Sequence, residues 1–89
     1  MKRVEIPEGV LVRELQGESV LLNLDSECYF GLDEVGTRMW GALTSTADVE
    51  AACDALLVEY AVERERLHSD LLAFIETLAG EGLVRVVAD

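Results

Sequence analysis

Residues 20–40 read VLLNLDSECYFGLDEVGTRMW: two short β-prone runs about a polar turn, then the capped start of a helix. The second run, Cys28-Tyr29-Phe30-Gly31-Leu32, is apolar and aromatic, with no obvious neighbour behind it. Asp25-Ser26-Glu27 is a polar break that turns the chain into that run. Upstream, residues 10–15 (VLVREL) and 19–24 (SVLLNL) are also β-prone, with Gln16-Gly17-Glu18 between them as a hairpin connection. The three runs read as a small antiparallel meander. In the middle run Val20, Leu22 and Leu24 share one face, and Leu21 and Asn23 the other.

Downstream the period changes from two to 3.6. Asp33 is a good N-cap, and Glu34 in the first turn suits the helix dipole. Val35, Met39 and Leu43, with Trp40 beside them, make the apolar face of a first helix. Gly36 inside it costs roughly 1 kcal/mol relative to Ala and marks a close backbone approach. Thr44-Ser45-Thr46 ends this helix and caps a second, expected over about residues 47–59, with Val49, Ala52, Cys53, Leu56 and Leu57 inward. A third helix over about 63–80 carries Leu67, Leu71, Phe74, Ile75 and Leu78, and Gly80 and Gly82 stop it. Leu83-Val84-Arg85-Val86 reads as a short last strand or an extended tail. The expected fold is α+β and winged helix-turn-helix-like, a three-stranded antiparallel sheet followed by three helices, in one domain over residues 1–89.

Composition narrows what such a domain can do. Eighteen acidic residues against seven basic ones give a formal net charge of −11. That field repels phosphate backbones and anionic lipid and favours basic partners, and it also serves solubility. In the third helix Arg64 and Arg66 interleave with Glu63 and Glu65, so no basic patch for nucleic acid can be assembled. No apolar stretch approaches a membrane span, and no secretory signal precedes the domain, which points to a cytoplasmic chain. Cys28 and Cys53 have no CxxC spacing and only one histidine, His68, to accompany them, so no metal site is expected. His68 is read as solvent-facing, lacking the orienting partner and nucleophile that a catalytic base needs. No phosphate loop or calcium loop occurs, and the inventory supplies neither a catalytic group nor a cofactor site.

What remains is the run at 28–32. A short strand with an open edge offers unpaired N–H and C=O groups that another peptide can complete. Tyr29 points to one face, Cys28 and Phe30 to the other, and which aromatic is core stays open. On the third helix Leu67, Leu71, Phe74 and Leu78 form one stripe, widened by Leu72, Ile75 and Ala79. Such a stripe is broad enough to serve a core and a groove together. Asp70 beside it either bonds a polar group of a guest or is simply solvated.

Leu22-x-Leu24, Tyr29-Phe30-x-Leu32, Val35-Gly36 with Trp40, and Asp70 with Phe74, Leu78, Gly82 and Leu83 together resemble the PqqD-like domains. These are recognition elements for ribosomally made, modified peptides, and the likeness covers roughly residues 10–86. Glu27 and Cys28 stand where that family commonly has a glycine-containing turn, and Asp33 where asparagine is frequent. The stand-alone length and the Tyr-Phe-Gly-Leu wording look most like the recognition proteins of lasso-peptide pathways. A carrier for the quinone-cofactor precursor peptide is the near alternative, and a structural dimerisation module the more distant one. The resemblance implies that the leader region of a precursor peptide is held as an added strand beside residues 28–32. The groove would be walled by the third helix. It further implies delivery to a separate transglutaminase-like cysteine protease, upstream of an ATP-dependent cyclase. The implied peptide-binding residues are Glu27, Cys28, Tyr29, Phe30, Gly31, Leu32, Leu67, Asp70, Leu71 and Phe74.

Overall fold

The computed structural model describes residues 2–46 and 48–88. In chain order the elements are β1 (Lys2–Glu5), β2 (Val10–Leu15), β3 (Glu18–Asn23), β4 (Cys28–Leu32), α1 (Glu34–Ser45), α2 (Val49–Glu59), α3 (Arg64–Gly80) and β5 (Arg85–Ala88). The meander is present as an antiparallel sheet of order β2-β3-β4. Its register aligns Leu11 with Leu22 and Tyr29, Val12 with Leu21 and Phe30, and Arg13 with Val20 and Gly31. The first hairpin is tighter than expected, because Glu18 already pairs with Leu15 and only Gln16 and Gly17 form the turn. Both take positive φ (54° and 84°), the geometry whose twist matches that of the flanking strands.

The sheet lays one face on the helices. Leu21 is wholly buried there with Ser19 and Asn23, while Val20 and Tyr29 on the other face stay exposed. Asp33 caps α1 as its sequence position suggests, accepting from the Gly36 N–H at 2.8 Å. A side chain at position 36 would press on Leu32 and on that cap, which is the close approach the glycine allows. The cap of α2 requires a correction. Asp48, not Thr46, holds it, accepting from the Ala51 N–H at 2.8 Å. The Thr46 hydroxyl instead donates back to the Ala42 carbonyl at 2.7 Å and closes α1. Ala47, the expected first residue of α2, lies outside the described residues. At the far end of α3, Leu83 N–H donates to Leu78 O and Gly82 N–H to Ala79 O. With Gly82 at φ 73° this is a Schellman stop, and Leu78 and Leu83 pack together beneath it.

Two apolar clusters make the core. Met39, Leu43, Val49, Ala52, Cys53, Leu56, Leu67, Leu71 and Ile75 tie the three helices together. Val10, Leu21, Leu32, Trp40, Leu78, Leu83 and Val84 seat the sheet on α1 and the end of α3. Phe74 is half-buried and packs against both. One element lay outside the sequence reading: β1 pairs antiparallel with β5, from Lys2 opposite Ala88 to Glu5 opposite Arg85. The short final strand exists, and its partner is the start of the chain.

Candidate peptide-binding edge and groove

The direction of each main-chain group on β4 follows from the first hairpin. Residues flanking a two-residue turn exchange both their hydrogen bonds, so Leu15 and Glu18 form a bonded pair. Counting by twos, Val20 and Leu22 also bond β2, whereas Ser19, Leu21 and Asn23 turn their main-chain groups towards β4. The Leu24 N–H donating to Gly9 O at 2.8 Å keeps the same count past the end of the ladder. Cys28, Phe30 and Leu32, opposite Asn23, Leu21 and Ser19, therefore bond β3. The N–H and C=O groups of Tyr29 and Gly31 face the edge of the sheet, four groups with no strand beside them among the described residues.

Next to that edge runs a cleft of about 490 Å³ between β4, the first turn of α1 and the flank of α3. Phe30 and Leu32 form its sheet side, Val35 and Gly36 its end, and Asp70, Phe74 and Thr77 its helix side. It continues past Val35, Met39 and Asp70 into a smaller pocket of about 140 Å³ with Tyr60, Val62, Arg66 and Leu67. The floor is apolar. Asp33 and Asp70 give the main cleft a negative rim, and Arg66 is the basic group at the far pocket.

The structure gathers part of the expected set and separates the rest. Phe30, Gly31, Leu32, Asp70 and Phe74 meet around the main cleft. Of the two aromatics, Phe30 turns inward and lines it, while Tyr29 stands 77% exposed on the outer sheet face and reaches the edge through its main chain. Leu71 is completely buried, and Leu67, at 5%, shows only in the far pocket. Both belong to the helix core, because the stripe 67, 71, 75 is the one turned towards α1 and α2. The groove stripe lies one helical step earlier, at 66, 70, 73/74 and 77. Ala73 and Thr77 are small, and Val35 sat within an apolar face, so the sequence offered only their spacing with Asp70 as a signal. Glu27 and Cys28 are exposed at the start of β4 and line neither cleft. Glu27 takes φ 57°, the left-handed conformation that suits the glycine common in that turn.

Asn23 fixes this end of the site. Its side-chain oxygen accepts from the N–H groups of Asp25 (3.0 Å) and Ser26 (3.3 Å), ordering the β3–β4 turn. Its amide donates to the Gly82 carbonyl at 3.1 Å, tying that turn to the end of α3. The buried Ser19 and Thr37 hydroxyls, 2.7 Å apart, do the same between β3 and α1.

The other charged cluster sits on the α2–α3 surface. Arg64 bridges Glu50 at 2.7 Å and Asp54, and His68 Nε2 lies 2.8 Å from Glu50. His68 is thus on the surface, half-buried there and paired with Glu50. The Arg64 guanidinium, followed by the bond to His68, holds the Glu50 carboxyl below its ordinary value. Among the described residues no group of three His, Cys, Asp or Glu side chains is placed to hold a metal ion. Nor is any helix among them long and apolar enough to cross a membrane.

An open strand edge beside an apolar groove defines a peptide-recognition fold, and family comparison gives it a place. The family described as coenzyme PQQ synthesis protein D (PqqD) matches residues 18–84, and the chain belongs to that family. It is similar to TbiB1, solved in complex with the TbiA(beta) leader peptide. That likeness has 38% identity and a TM-score of 0.88, over 96% of this chain and 99% of the other. It also shares its fold with lasso peptide synthetase B1, solved with a leader peptide, with 22% identity and a TM-score of 0.84 over 93% of this chain and 98% of that one. No curated protein sequence matches it.

Proposed function

We propose that this chain is a non-catalytic carrier, a single recognition domain acting in lasso-peptide biosynthesis. It holds the leader segment of a ribosomally made precursor as a strand added to β4. The observation that carries the reading is the open edge itself: four main-chain groups of Tyr29 and Gly31 directly beside the cleft of Phe30, Asp70 and Phe74. The likeness to TbiB1, whose structure holds a leader peptide, supports the class of guest.

Main-chain pairing is blind to sequence, so selectivity comes from the cleft. Guest side chains that point inward meet Phe30 and Phe74, and those near the rim meet Asp70. The acidic surface speeds capture of a basic leader at low salt. Four edge bonds at about 0.5–1.5 kcal/mol each and two or three buried anchors at about 1.5–3 kcal/mol each, less the cost of ordering the guest, give dissociation constants from micromolar to tens of nanomolar. The recipient is a separate transglutaminase-like cysteine protease. The exposed apolar face of Leu11, Leu15, Val20 and Tyr29, continuous with the guest strand, stays free to meet it.

Fluorescence anisotropy with a labelled leader peptide, the TbiA(beta) leader held by the similar TbiB1, tests the reading. Saturable binding in that range is expected, with the purified chain leaving the precursor uncut. Absence of binding, or turnover by the chain alone, would overturn it.

A further inference from the structure

The sheet has a second edge. β2 forms it, about 10 Å or two strand spacings from β4, and no strand lies beyond it among the described residues. The hairpin count that turns Tyr29 and Gly31 outward applies here too. Leu11, Arg13 and Leu15 bond β3, so the N–H and C=O groups of Val12 and Glu14 face out. The strand runs six residues with no proline and no bulge, two devices that commonly blunt an edge. Beside it opens a cleft of about 530 Å³ between the hairpin end of β2, α1 and α2, lined by Glu14, Thr37, Gly41, Ala42, Ala55 and Glu59. Gly41, in the middle of α1, helps keep it open, since a Cβ there would meet nothing within 4 Å. Val12 points to the helix side of the sheet, opposite the buried Leu21, yet is 43% exposed, so the helix layer leaves it half uncovered. Glu14 points the same way and has no ion-pair partner among the described residues, whereas Arg38 at the same cleft is paired with Glu59.

We propose that the β2 edge is a second strand-addition site, filled by a basic extended segment of another protein. It is separate from the leader edge and does not depend on what occupies β4. An added strand pairs one residue with Val12 and one with Glu14, taking up all four outward groups. Those two residues turn their side chains to the helix side, the first beside the half-covered valine and the second into the cleft beside Glu14. An apolar residue suits the first place. Lysine or arginine suits the second, because opposite charges directly across a strand pair stabilise it and like charges oppose it. The net charge of −11 draws such a segment in. An inward-pointing carboxylate is also a guard, disfavouring strands that bring no cation to it. A second copy of this chain is disfavoured on related grounds. The antiparallel register that satisfies all four groups in both copies sets Arg13 against its own copy on the twofold axis, between two molecules of charge −11. With a leader on β4 as well, the sheet would be five-stranded, with guest and partner on opposite edges.

A display library of random twelve-residue peptides, selected on the natural chain, tests this with three variants. Val12→Pro removes an outward N–H and leaves the β2–β3 ladder its bonds, the one setting in which an edge strand tolerates proline. Tyr29→Pro does the same at β4. Glu14→Lys reverses the charge in the cleft at an exposed position. One class of selected peptides should bind Val12→Pro about ten-fold or more weakly, and Tyr29→Pro within about two-fold of the natural chain. Its members should share a Lys or Arg with an apolar residue two places away. They should bind Glu14→Lys about five-fold or more weakly, and exchanging their basic residue for Glu should restore binding to that variant. Circular dichroism and melting check each fold, and Glu14→Lys with its charge exchange decides alone if Val12→Pro does not fold. Absence of any peptide class weakened by the β2 variants and spared by Tyr29→Pro would overturn the proposal. A class without the fixed basic residue, or one that the charge exchange does not restore, would do the same. So would a dimer of the natural chain in sedimentation equilibrium that the β2 variants break, which would give the edge to a second copy. Peptides weakened by Tyr29→Pro alone report on β4, so the two edges are judged separately.

Discussion

N-methylation of the guest, one residue at a time, gives the most searching check on strand addition. Tyr29 and Gly31 present two N–H and two C=O groups at the edge, and the intervening Phe30 presents none because its groups bond Leu21. A guest strand in either direction therefore donates from two residues separated by one that points away. Methylating a donating nitrogen removes one hydrogen bond, about 0.5–1.5 kcal/mol, and pushes a methyl group into the inter-strand gap. A loss of about 1–2 kcal/mol at each such position corresponds to roughly 5- to 30-fold in affinity. Methylation of the residue between them faces solvent and should change affinity less than about two-fold. Titration calorimetry across the series should show two weakened positions flanking an unaffected one. A flat profile, or losses that follow side-chain identity without alternation, would refute the edge assignment and the hairpin count behind it.

Three further outcomes follow from the same structure. Phe74→Asp should weaken leader binding by more than about ten-fold and, because Phe74 touches both core clusters, lower stability by about 2–3 kcal/mol while the helical circular dichroism persists; unchanged affinity would remove Phe74 from the groove. Asn23→Ala loses three hydrogen bonds, about 2–4 kcal/mol in all, and should lower the melting temperature by roughly 10–25 °C; a drop of only a degree or two would mean that water replaces the amide. With a thiol reagent, Cys28 should react at once, whereas Cys53, fully buried and with its thiol pushed up by burial, should react only as fast as the fold opens; two equal rates would contradict the packing of α2.

Acid stability carries a fourth. Glu50 is held below its ordinary value of 4.5 chiefly by Arg64, so its folded form binds fewer protons than its unfolded form. Its contribution is complete above that ordinary value and is lost as pH falls through the lower folded one. Glu50→Gln should lower stability at neutral pH and flatten this part of the acid limb, measured by urea melts from neutral to acid pH. An unaltered acid limb would show that the Arg64 bridge contributes nothing measurable, as exposed pairs often do.

How far the sequence reached depended on the range of the interaction. The meander and α1 were legible because period-two runs, a two-residue turn and the Asp33 cap are all local. The pairing of β1 with β5 was not, since two four-residue strands at opposite ends of the chain carry no pattern that names each other. Thr46 misled by position: its hydroxyl donates back to the Ala42 carbonyl at the end of α1, while α2 begins only at Val49 and Asp48 directly before it supplies the accepting cap. In the candidate site, Phe30, Asp70 and Phe74 meet as a strand-and-helix groove requires. Leu71 shows the limit of reading a helix by stripe alone. A wide apolar face gives the rotation of a helix only to within one residue, and one residue is the difference between groove wall and core.

The β1–β5 ribbon has an architectural consequence. Lys2 and Ala88 lie opposite one another, about 5 Å apart at ordinary strand spacing, so the described chain leaves and returns at a single point. That point is on a different sheet from the β4 edge. A domain built this way can be spliced into a loop of a larger protein through two adjacent linkers, or circularised and reopened at the Gln16-Gly17 turn, without rerouting the strand on which a guest would sit. The point of attachment and the β4 edge thus lie on separate sheets of one packed domain.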